Sequence, residues 1–287
     1  MLASGTFGAL MDRVLDVGRV GAVVEKTITL DPRPGKPYPR VWETPSGMLN
    51  SIGLDGPGLE GWIRKRYPQV RGYGCRLVLS VAGRTAEEYG RIVRRLDALP
   101  RVDAFEINIS CPNVAHGTDF ATDPALTEKV VRVSKAATSR PVFAKLTPNV
   151  ARIADIARAA MEGGADGISA INTVKGMAVD WRRRAPCLGG VTGGLSGPAI
   201  KPVALRMVWE IASALPGVPL IGIGGILTAE DVLEFMVAGA SAVQIGTANF
   251  VDAGTALRIL EALPGLLAGA GVARIGELIG TCAPRSP

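Results

Sequence analysis

Polar side chains suited to acid–base and anion-binding chemistry recur at the ends of short apolar segments of this chain. Lys26, Asn108, Cys111, Lys145 and Asn172 all lie at or just after such segments. Asparagine offers a donor and an acceptor, which suits the imide and ureide edges of a planar ring. Lysine offers charge to a carboxylate or a developing anion. If the segments are parallel strands, these side chains meet on one face and predict a site for a planar, hydrogen-bonding, anionic ligand.

Cys111 is the candidate acid–base group of this set. It lies between Asn108 and Asn113 and beside Pro112, a polar setting at the end of a predicted strand. A thiolate there would be favoured by nearby positive charge. A lone cysteine is more often a small core residue. We interpret the remaining cysteines in that way: Cys75, Cys187 and Cys282.

The chain has 1 histidine, His116, and this excludes several kinds of site. A metal site made of several histidines cannot be built, and a Ser-His-Asp triad would have to use His116. His116 is either a loop residue over the site or an exposed loop histidine. The 4 cysteines contain no C-x-x-C pair, which argues against zinc ribbons and iron–sulfur sites within the chain. Their scatter favours a reduced, cytoplasmic setting.

Glycines near the end of the chain predict a phosphate site. The segments IGIGGI and QIGTA place Gly224, Gly225 and Gly246 after the last two predicted strands. Backbone N–H groups at those positions of an α/β barrel commonly bind phosphate. The alternative is that they are turn glycines only. Leu227 stands where a G-x-G-x-x-G pattern starting at Gly222 would need its last glycine, so no Rossmann spacing results.

Composition places the chain among α/β enzymes. Of 287 residues, 47% are hydrophobic, 5% are aromatic and 36 are glycine, which argues against disorder and against a coiled coil. No apolar run reaches the roughly 18 residues of a membrane span, and the N-terminus does not resemble a secretory signal. The net charge of +6 is compatible with nucleic acid, anionic metabolites or an acidic partner. The basic runs at 64–66 and 182–184 are interpreted as solvated.

Strand-like and helix-like segments alternate, which predicts a parallel sheet of βα units and, at this length, one (β/α)8 TIM-barrel domain spanning 1–287. Predicted strands cover 21–25, 77–81, 105–109, 142–146, 167–171, 220–223 and 242–245. The clearest helices cover 124–138, 150–162, 201–215 and 228–238. Thr228 starts the last of these, with an acidic residue at position N3.

The predicted barrel lacks most of its first strand. Only Met1–Ala3 precedes the loop at Ser4 and Gly5, so this strand is a stub or the native chain starts upstream. We favour the second hypothesis, because an open barrel would leave two unpaired edges. The connections 28–50 and 173–197 are too long for simple loops and are expected to be functional insertions at the carboxyl ends of the strands.

Long blocks of the sequence resemble dihydroorotate dehydrogenase. They are EINISCPNVAHGTDFATDP, FAKLTPNV, INTVKGMAVD, GGLSGPAIKPVAL and IGIGGILTAEDVLEFMVAGASAVQIGTANF. The resemblance implies an FMN-containing barrel that oxidises dihydroorotate to orotate in pyrimidine biosynthesis. Cysteine rather than serine as the base, and the details of the blocks around Cys111 and Gly197, resemble the NAD-linked class 1B catalytic subunit. That class implies a partner subunit carrying FAD and a [2Fe–2S] cluster, with a dimer of catalytic subunits inside a heterotetramer.

The resemblance also implies a role for each site residue. Cys111 removes the C5 proton of dihydroorotate, hydride passes from C6 to N5 of FMN, and electrons continue to the partner subunit and NAD. Lys145 lies near the N1/O2 edge of the flavin. The implied substrate residues are Lys26, Asn50, Ile52, Gly53, Leu54, Asn108, Asn113, Asn172 and Thr173. The implied FMN residues are Ala3, Gly5, Lys26, Thr27, Ser80, Asn108, Lys145, Ile171, Gly197, Gly224, Gly225, Gly246 and Thr247.

One residue departs from the family, and two other functions compete with this one. Ser80 stands where the family usually has asparagine, so one flavin contact is expected to be lost or bridged by water. A tRNA dihydrouridine synthase, another FMN barrel with a cysteine, would use the basic charge, but little chain remains for an RNA-binding domain. A barrel that has lost FMN and acts as a binding protein is the third hypothesis.

Overall fold

The computed structural model describes residues 1–8, 14–110 and 120–283. In these residues, short apolar segments form a parallel sheet, as predicted. The strands are β1 (Ala22–Ile28), β2 (Val41–Thr44), β3 (Gly47–Asn50), β4 (Arg76–Val81), β5 (Ala104–Asn108), β6 (Val142–Leu146), β7 (Gly167–Ala170), β8 (Val174–Gly176), β9 (Val179–Asp180), β10 (Ala185–Pro186), β11 (Gly193–Ser196), β12 (Leu220–Ile223) and β13 (Ala242–Gln244). The helices are α1 (Gly58–Lys65), α2 (Tyr67–Val70), α3 (Ala86–Asp97), α4 (Pro124–Lys135), α5 (Ile153–Glu162), α6 (Lys201–Ala214), α7 (Ala229–Ala238), α8 (Ala248–Val251) and α9 (Thr255–Gly269).

Seven of these strands form one curled sheet in the order β1-β4-β5-β6-β7-β12-β13. Neighbouring strands are parallel throughout. Strands such as β4, β6 and β7 are almost wholly buried, because helices cover the outside of a parallel sheet while side chains fill its inside. The predicted α/β barrel class and all of its seven readable strands are confirmed.

The first three residues lie between the two edge strands of this sheet. Leu2 forms parallel bridges to Val23 on one side and to Ile245 on the other. The Leu2 N–H donates to the Ala22 carbonyl at 3.0 Å, and the Ala3 N–H donates to the Ile245 carbonyl at 2.8 Å. A short first strand therefore pairs with both edges of the sheet, which is the first of the two alternatives given for this strand.

Helix α7 begins where the sequence predicts. Thr228 accepts a hydrogen bond from the Asp231 N–H, and the Asp231 carboxylate accepts one from the Thr228 N–H, which completes a capping box. Helix α5 begins at Ile153, a few residues later than predicted, because Arg152 before it has a non-helical backbone, with φ −133° and ψ 87°.

The two long connections fold into a second, antiparallel sheet rather than into irregular loops. Its order is β2-β3-β11-β8, and β9 pairs with β10 beside it. Strands β3 and β11 bring Asn50 opposite Gly194 and Met48 opposite Ser196. This pairing joins the two insertions to each other over the carboxyl ends of the barrel strands.

The inside of the barrel is apolar at its amino-terminal end. Ala22, Val24, Val78 and Ala104 form a buried cluster there, with Phe143 packed against it. A larger apolar core lies between the sheet and the outer helices. Within the described ranges, no helix is long and apolar enough to cross a bilayer.

Candidate active site

A cavity of about 430 Å³ lies at the carboxyl ends of the barrel strands. This is within the size range of small-molecule and cofactor sites. The carboxyl ends of parallel strands are also where barrel enzymes place their active sites. The cavity is bounded on one side by the antiparallel sheet, through Met48, Asn50 and Ser196.

The structure brings almost all of the predicted site residues together in this cavity. Those that line it are Ala3, Gly5, Lys26, Thr27, Asn50, Ile52, Gly53, Leu54, Asn108, Lys145, Ile171, Asn172, Thr173, Gly197, Gly224, Gly225, Gly246 and Thr247. Cys111, Asn113 and His116 lie outside the described residues. Strand β1 continues past Lys26 and Thr27 to Ile28, through a register irregularity after Glu25, so these two residues belong to the strand end itself.

Amide side chains hold the strand end that leads to Cys111. The Asn172 Nδ2 atom donates to Asn108 Oδ1 at 3.3 Å and to Ser110 Oγ at 3.1 Å. The Ser110 N–H donates to the same Asn108 Oδ1 at 3.3 Å. Ser110 directly precedes Cys111 in the sequence. The end of β5 is therefore joined by hydrogen bonds to Asn172, two residues past the end of β7, which lies two strands away.

Ser80 lies behind the cavity surface rather than on it. It is fully buried and does not line the cavity. Its hydroxyl is 2.9 Å from the Thr27 hydroxyl, which also accepts from Asn108 Nδ2 at 3.3 Å. Thr27 lines the cavity, so Ser80 reaches the site through Thr27. Its predicted role in binding FMN stays a prediction, and the route is indirect.

Three glycines form a cradle at one end of the cavity. Gly197, Gly224 and Gly225 have φ angles of 94°, 133° and 75°, a backbone region that favours glycine. A Cβ atom at Gly225 would lie 2.7 Å from the Lys201 Cβ and 3.0 Å from the Gly197 carbonyl oxygen. A side chain does not fit there, and the backbone itself faces the cavity, as a phosphate site requires.

Asp231 holds the loop that follows this cradle. Its carboxylate accepts from the N–H groups of Leu227 at 2.7 Å and Thr228 at 2.8 Å, and from Lys201 Nζ at 2.5 Å. Burial acting alone would raise the pKa of Asp231, but these hydrogen bonds outweigh it and lower the pKa below its usual value. At neutral pH, the Asp231 carboxylate therefore stabilises the loop through these hydrogen bonds.

A buried charged group below the cavity was missed by the sequence analysis. Lys145 Nζ lies 3.1 Å from Glu106 Oε1, and Gln244 Nε2 donates to Glu106 Oε2 at 2.8 Å. Glu106 and Gln244 are each 1% exposed. The signal available in the sequence was a glutamate inside an apolar strand, two residues before Asn108, since alternate residues of a strand face the same side.

Parts of the cavity wall were not predicted from the sequence. The additional lining residues are Ser4, Thr6, Val41, Met48, Ser196, Ile200, Ile223, Ile226, Leu227, Ala248 and Phe250. Ser196 Oγ accepts a hydrogen bond of 2.7 Å from the Thr247 hydroxyl. Most of this set is apolar, which carries no pattern distinct from core residues.

The interpretation of the remaining cysteines as core residues is confirmed for Cys75 and Cys187 and is wrong for Cys282, which is exposed. Cys75 and Cys187 are buried and Cys282 is exposed, and none of the three is in a disulfide. In the part of the chain that the structure describes, no group of His, Cys, Asp and Glu side chains could hold a metal ion.

The fold and the cavity define a TIM-barrel-type α/β protein with a site for a small polar ligand. A family model for dihydroorotate dehydrogenase matches residues 1–267. A protein of Geotalea uraniireducens (strain Rf4) is 48% identical over 283 residues, covering 98% of this chain and 92% of that protein. Proteins of Trichlorobacter lovleyi and Desulforudis audaxviator are 50% and 49% identical, covering 98% of this chain and 93% and 92% of their own lengths.

All three relatives carry the name dihydroorotate dehydrogenase B (NAD(+)), catalytic subunit. The chain belongs to the dihydroorotate dehydrogenase family.

Proposed function

We propose that this chain is the catalytic subunit of an NAD-linked dihydroorotate dehydrogenase, which oxidises dihydroorotate to orotate in pyrimidine biosynthesis. The observation that carries the proposal is the single cavity in which Lys26, Asn50, Asn108, Lys145 and Asn172 meet a glycine cradle. The family membership and the names of the relatives support the same activity.

The residues of the cavity fit FMN. A planar, polar isoalloxazine ring needs hydrogen-bonding partners, and Thr27, Asn108 and Lys145 supply them at the strand ends. The phosphate needs converging backbone N–H groups, and the backbone of Gly197, Gly224 and Gly225 lines one end of the cavity. Bound FMN supplies the acceptor, at its N5 atom, for the hydride from C6 of dihydroorotate.

Asparagine side chains bind and orient the dihydroorotate ring. Asn50, Asn108 and Asn172 present both donors and acceptors, which match the alternating N–H and C=O groups of the ring edge. Lys26 supplies positive charge for the substrate carboxylate. The hydrogen bonds from Asn172 to Asn108 and Ser110 keep these groups in one arrangement before substrate binds.

Cys111 acts as the base in this proposal. Its thiolate removes the proton from C5, so that the electron pair of that bond is available as hydride leaves C6. A cationic environment favours a thiolate, and Lys26 and Lys145 line the cavity together with Asn108, three residues before Cys111 in the sequence. Asn113 completes the substrate contacts.

An electron-transfer partner completes the reaction. We propose that the partner subunit carries FAD and a [2Fe–2S] cluster and passes electrons to NAD, and that two catalytic subunits pair within a heterotetramer. The names of the relatives, which specify NAD(+) and a catalytic subunit, support this. One domain spanning 1–287, a cytoplasmic location and the absence of nucleic-acid binding remain predictions.

Substitution of Cys111 tests the proposed chemistry. Cys111→Ala is expected to bind FMN like the wild type but to lose flavin reduction by dihydroorotate at neutral pH, by about 10²-fold or more, as for loss of a general base. The matched control is Cys282→Ala, because Cys282 is an exposed free thiol. Rapid-mixing absorbance measures both rates. Equal reduction rates in Cys111→Ala and the wild type would remove Cys111 as the base.

Purification from native extract tests the proposed partner. The chain is expected to bring down an iron–sulfur flavoprotein in equal amount, and the complex is expected to reduce NAD with dihydroorotate. Efficient reduction of fumarate by the isolated chain would contradict the NAD-linked assignment.

A further inference from the structure

The Glu106–Lys145–Gln244 group lies inside the barrel, directly below the cavity. Lys145 lines the cavity, whereas Glu106 and Gln244 do not. The side chains of Lys145 and Glu106 are 8% and 1% exposed. Both carboxylate oxygens of Glu106 are engaged, one by Lys145 Nζ at 3.1 Å and the other by Gln244 Nε2 at 2.8 Å. Lys145 therefore contacts the cavity, whereas Glu106 is enclosed by protein.

Stability alone does not account for a charge pair at this place. Replacing a buried ion pair by apolar residues of similar volume is often neutral or stabilising. The barrel interior at the amino-terminal end is filled in that apolar way, by Ala22, Val24, Val78 and Ala104. Two buried atoms beside the pair lack hydrogen-bond partners within the described residues: Gln244 Oε1, and the Oγ of Ser169, which is opposite Lys145 in the strand register.

We infer that Glu106 is a positioning residue that holds the Lys145 ammonium group against the flavin site and sets the reduction potential of bound FMN. This inference rests on the proposed function, because it requires FMN in the cavity. The Glu106 carboxylate fixes where the Lys145 charge lies, and its own negative charge offsets part of the field that Lys145 directs at the cofactor. Gln244 fixes the orientation of the carboxylate.

The sign of the effect follows from the charges. Reduction adds negative charge to a bound flavin, so positive charge at the cavity wall favours the reduced form. Glu106→Gln removes the offsetting negative charge while keeping the size of the side chain. The ratio of reduced to oxidised flavin at a fixed potential is expected to rise about tenfold, which is about 30 mV for a two-electron couple. Lys145→Met is expected to move the ratio in the opposite direction.

Matched variants separate this role from a structural one. Glu106→Asp keeps the charge and is expected to restore a near wild-type potential. Glu25→Gln is the control: Glu25 is an equally buried carboxylate, 2% exposed and paired with Arg66 at 3.0 Å, but it faces the outer helices. Glu25→Gln is expected to leave the potential unchanged. The affinity for oxidised FMN is expected to change less than threefold in Glu106→Gln, since Glu106 does not line the cavity.

The experiment measures the midpoint potential of bound FMN by anaerobic dye-linked titration, which requires no substrate. A wild-type protein that takes up no FMN would overturn both this inference and the proposed function. A wild type that binds FMN but is not reduced by dihydroorotate would overturn the proposed function alone. Equal potentials in the wild type and Glu106→Gln would overturn the inference alone.

A second pair of variants covers the case in which Glu106→Gln does not fold. Lys145→Met leaves Glu106 as an unpaired charge, whereas Lys145→Met combined with Glu106→Gln removes both charges. The double variant is expected to recover most of the potential lost in Lys145→Met. Identical potentials in these two variants would show that Glu106 does not act on the flavin.

Discussion

Two buried carboxylates of the same sheet, Glu25 on β1 and Glu106 on β5, face opposite sides of the barrel wall. Glu25 accepts from Arg66 Nη2 at 3.0 Å and from Trp62 Nε1 at 3.3 Å, and both partners lie outside the barrel at α1. Glu106 accepts from Lys145 and Gln244, both inside the barrel. The chemistry of the two pairs is alike, and their surroundings differ.

The difference shows that the effect of a buried charge on a strand depends on which side of the sheet the side chain faces. On the outer side, Glu25 joins a helix to the sheet, and its effect is on folding. Its hydrogen bond and charge outweigh the effect of burial and raise the pKa of Arg66. On the inner side, Glu106 reaches the cavity through Lys145, and its expected effect is on the cofactor. Substitutions on the two sides of the barrel wall test this division.

The largest expected effect is on the outer side. Arg66→Ala leaves Glu25 buried with no cation beside it, and breaking one partner of a buried pair lowers the free energy of unfolding by about 3–5 kcal/mol. The control is Arg95→Ala, because Arg95 forms an exposed pair with Glu60 at 2.9 Å and such pairs contribute about 0–1 kcal/mol. Urea unfolding measures both. An Arg66→Ala protein as stable as Arg95→Ala would contradict the stabilising role of the Glu25–Arg66 pair.

A third carboxylate, Asp231, is expected to affect both folding and the cofactor. Asp231→Ala removes the hydrogen bonds to Leu227 and Thr228. It is expected to lower the unfolding free energy by about 2 kcal/mol, at the upper end for loss of a cap, and to weaken FMN binding. Glu234→Ala is the control, since Glu234 also pairs with Lys201, at 2.8 Å. Flavin fluorescence titration should show weaker binding only in Asp231→Ala; equal affinities would contradict the role of the loop.

The pH dependence of the Asp231 effect has a fixed sign. The pKa of Asp231 is lower in the folded chain than its ordinary value of 3.8. Its contribution to stability is therefore full above that ordinary value and is lost as the pH falls through the lowered pKa of the folded state. The stability difference between the wild type and Asp231→Ala should shrink in acid. A difference that grows with acid would contradict the assignment.

The smallest expected effect is at Ser80, inside the barrel and opposite Glu106 in the strand register. Ser80→Ala removes the 2.9 Å contact with Thr27, and a hydrogen bond of this kind contributes about 1 kcal/mol, or about fivefold in affinity. FMN affinity should fall by that factor or less, with no change in potential. A shift in the FMN potential as large as that of Glu106→Gln would contradict the expectation that Ser80 affects only the affinity for FMN.

The sequence was most informative where a side chain follows an apolar strand. Lys26, Asn108 and Asn172 could be assigned to one face, because the carboxyl ends of parallel strands meet there. The antiparallel sheet of β2, β3, β8 and β11 could not be foreseen, since its pairing joins segments more than a hundred residues apart. Alternation along β5 places Glu106 on the same side as Asn108, but its partners Lys145 and Gln244 lie on other strands and could not be read from that pattern.

The most direct test of the account is the anaerobic absorbance spectrum of the FMN-loaded wild-type chain before and after addition of dihydroorotate. We expect one FMN bound per chain, loss of the oxidised flavin band on addition of dihydroorotate, and formation of orotate in equal amount. A chain that takes up no FMN, or a bound flavin that stays oxidised in the presence of dihydroorotate, would contradict it.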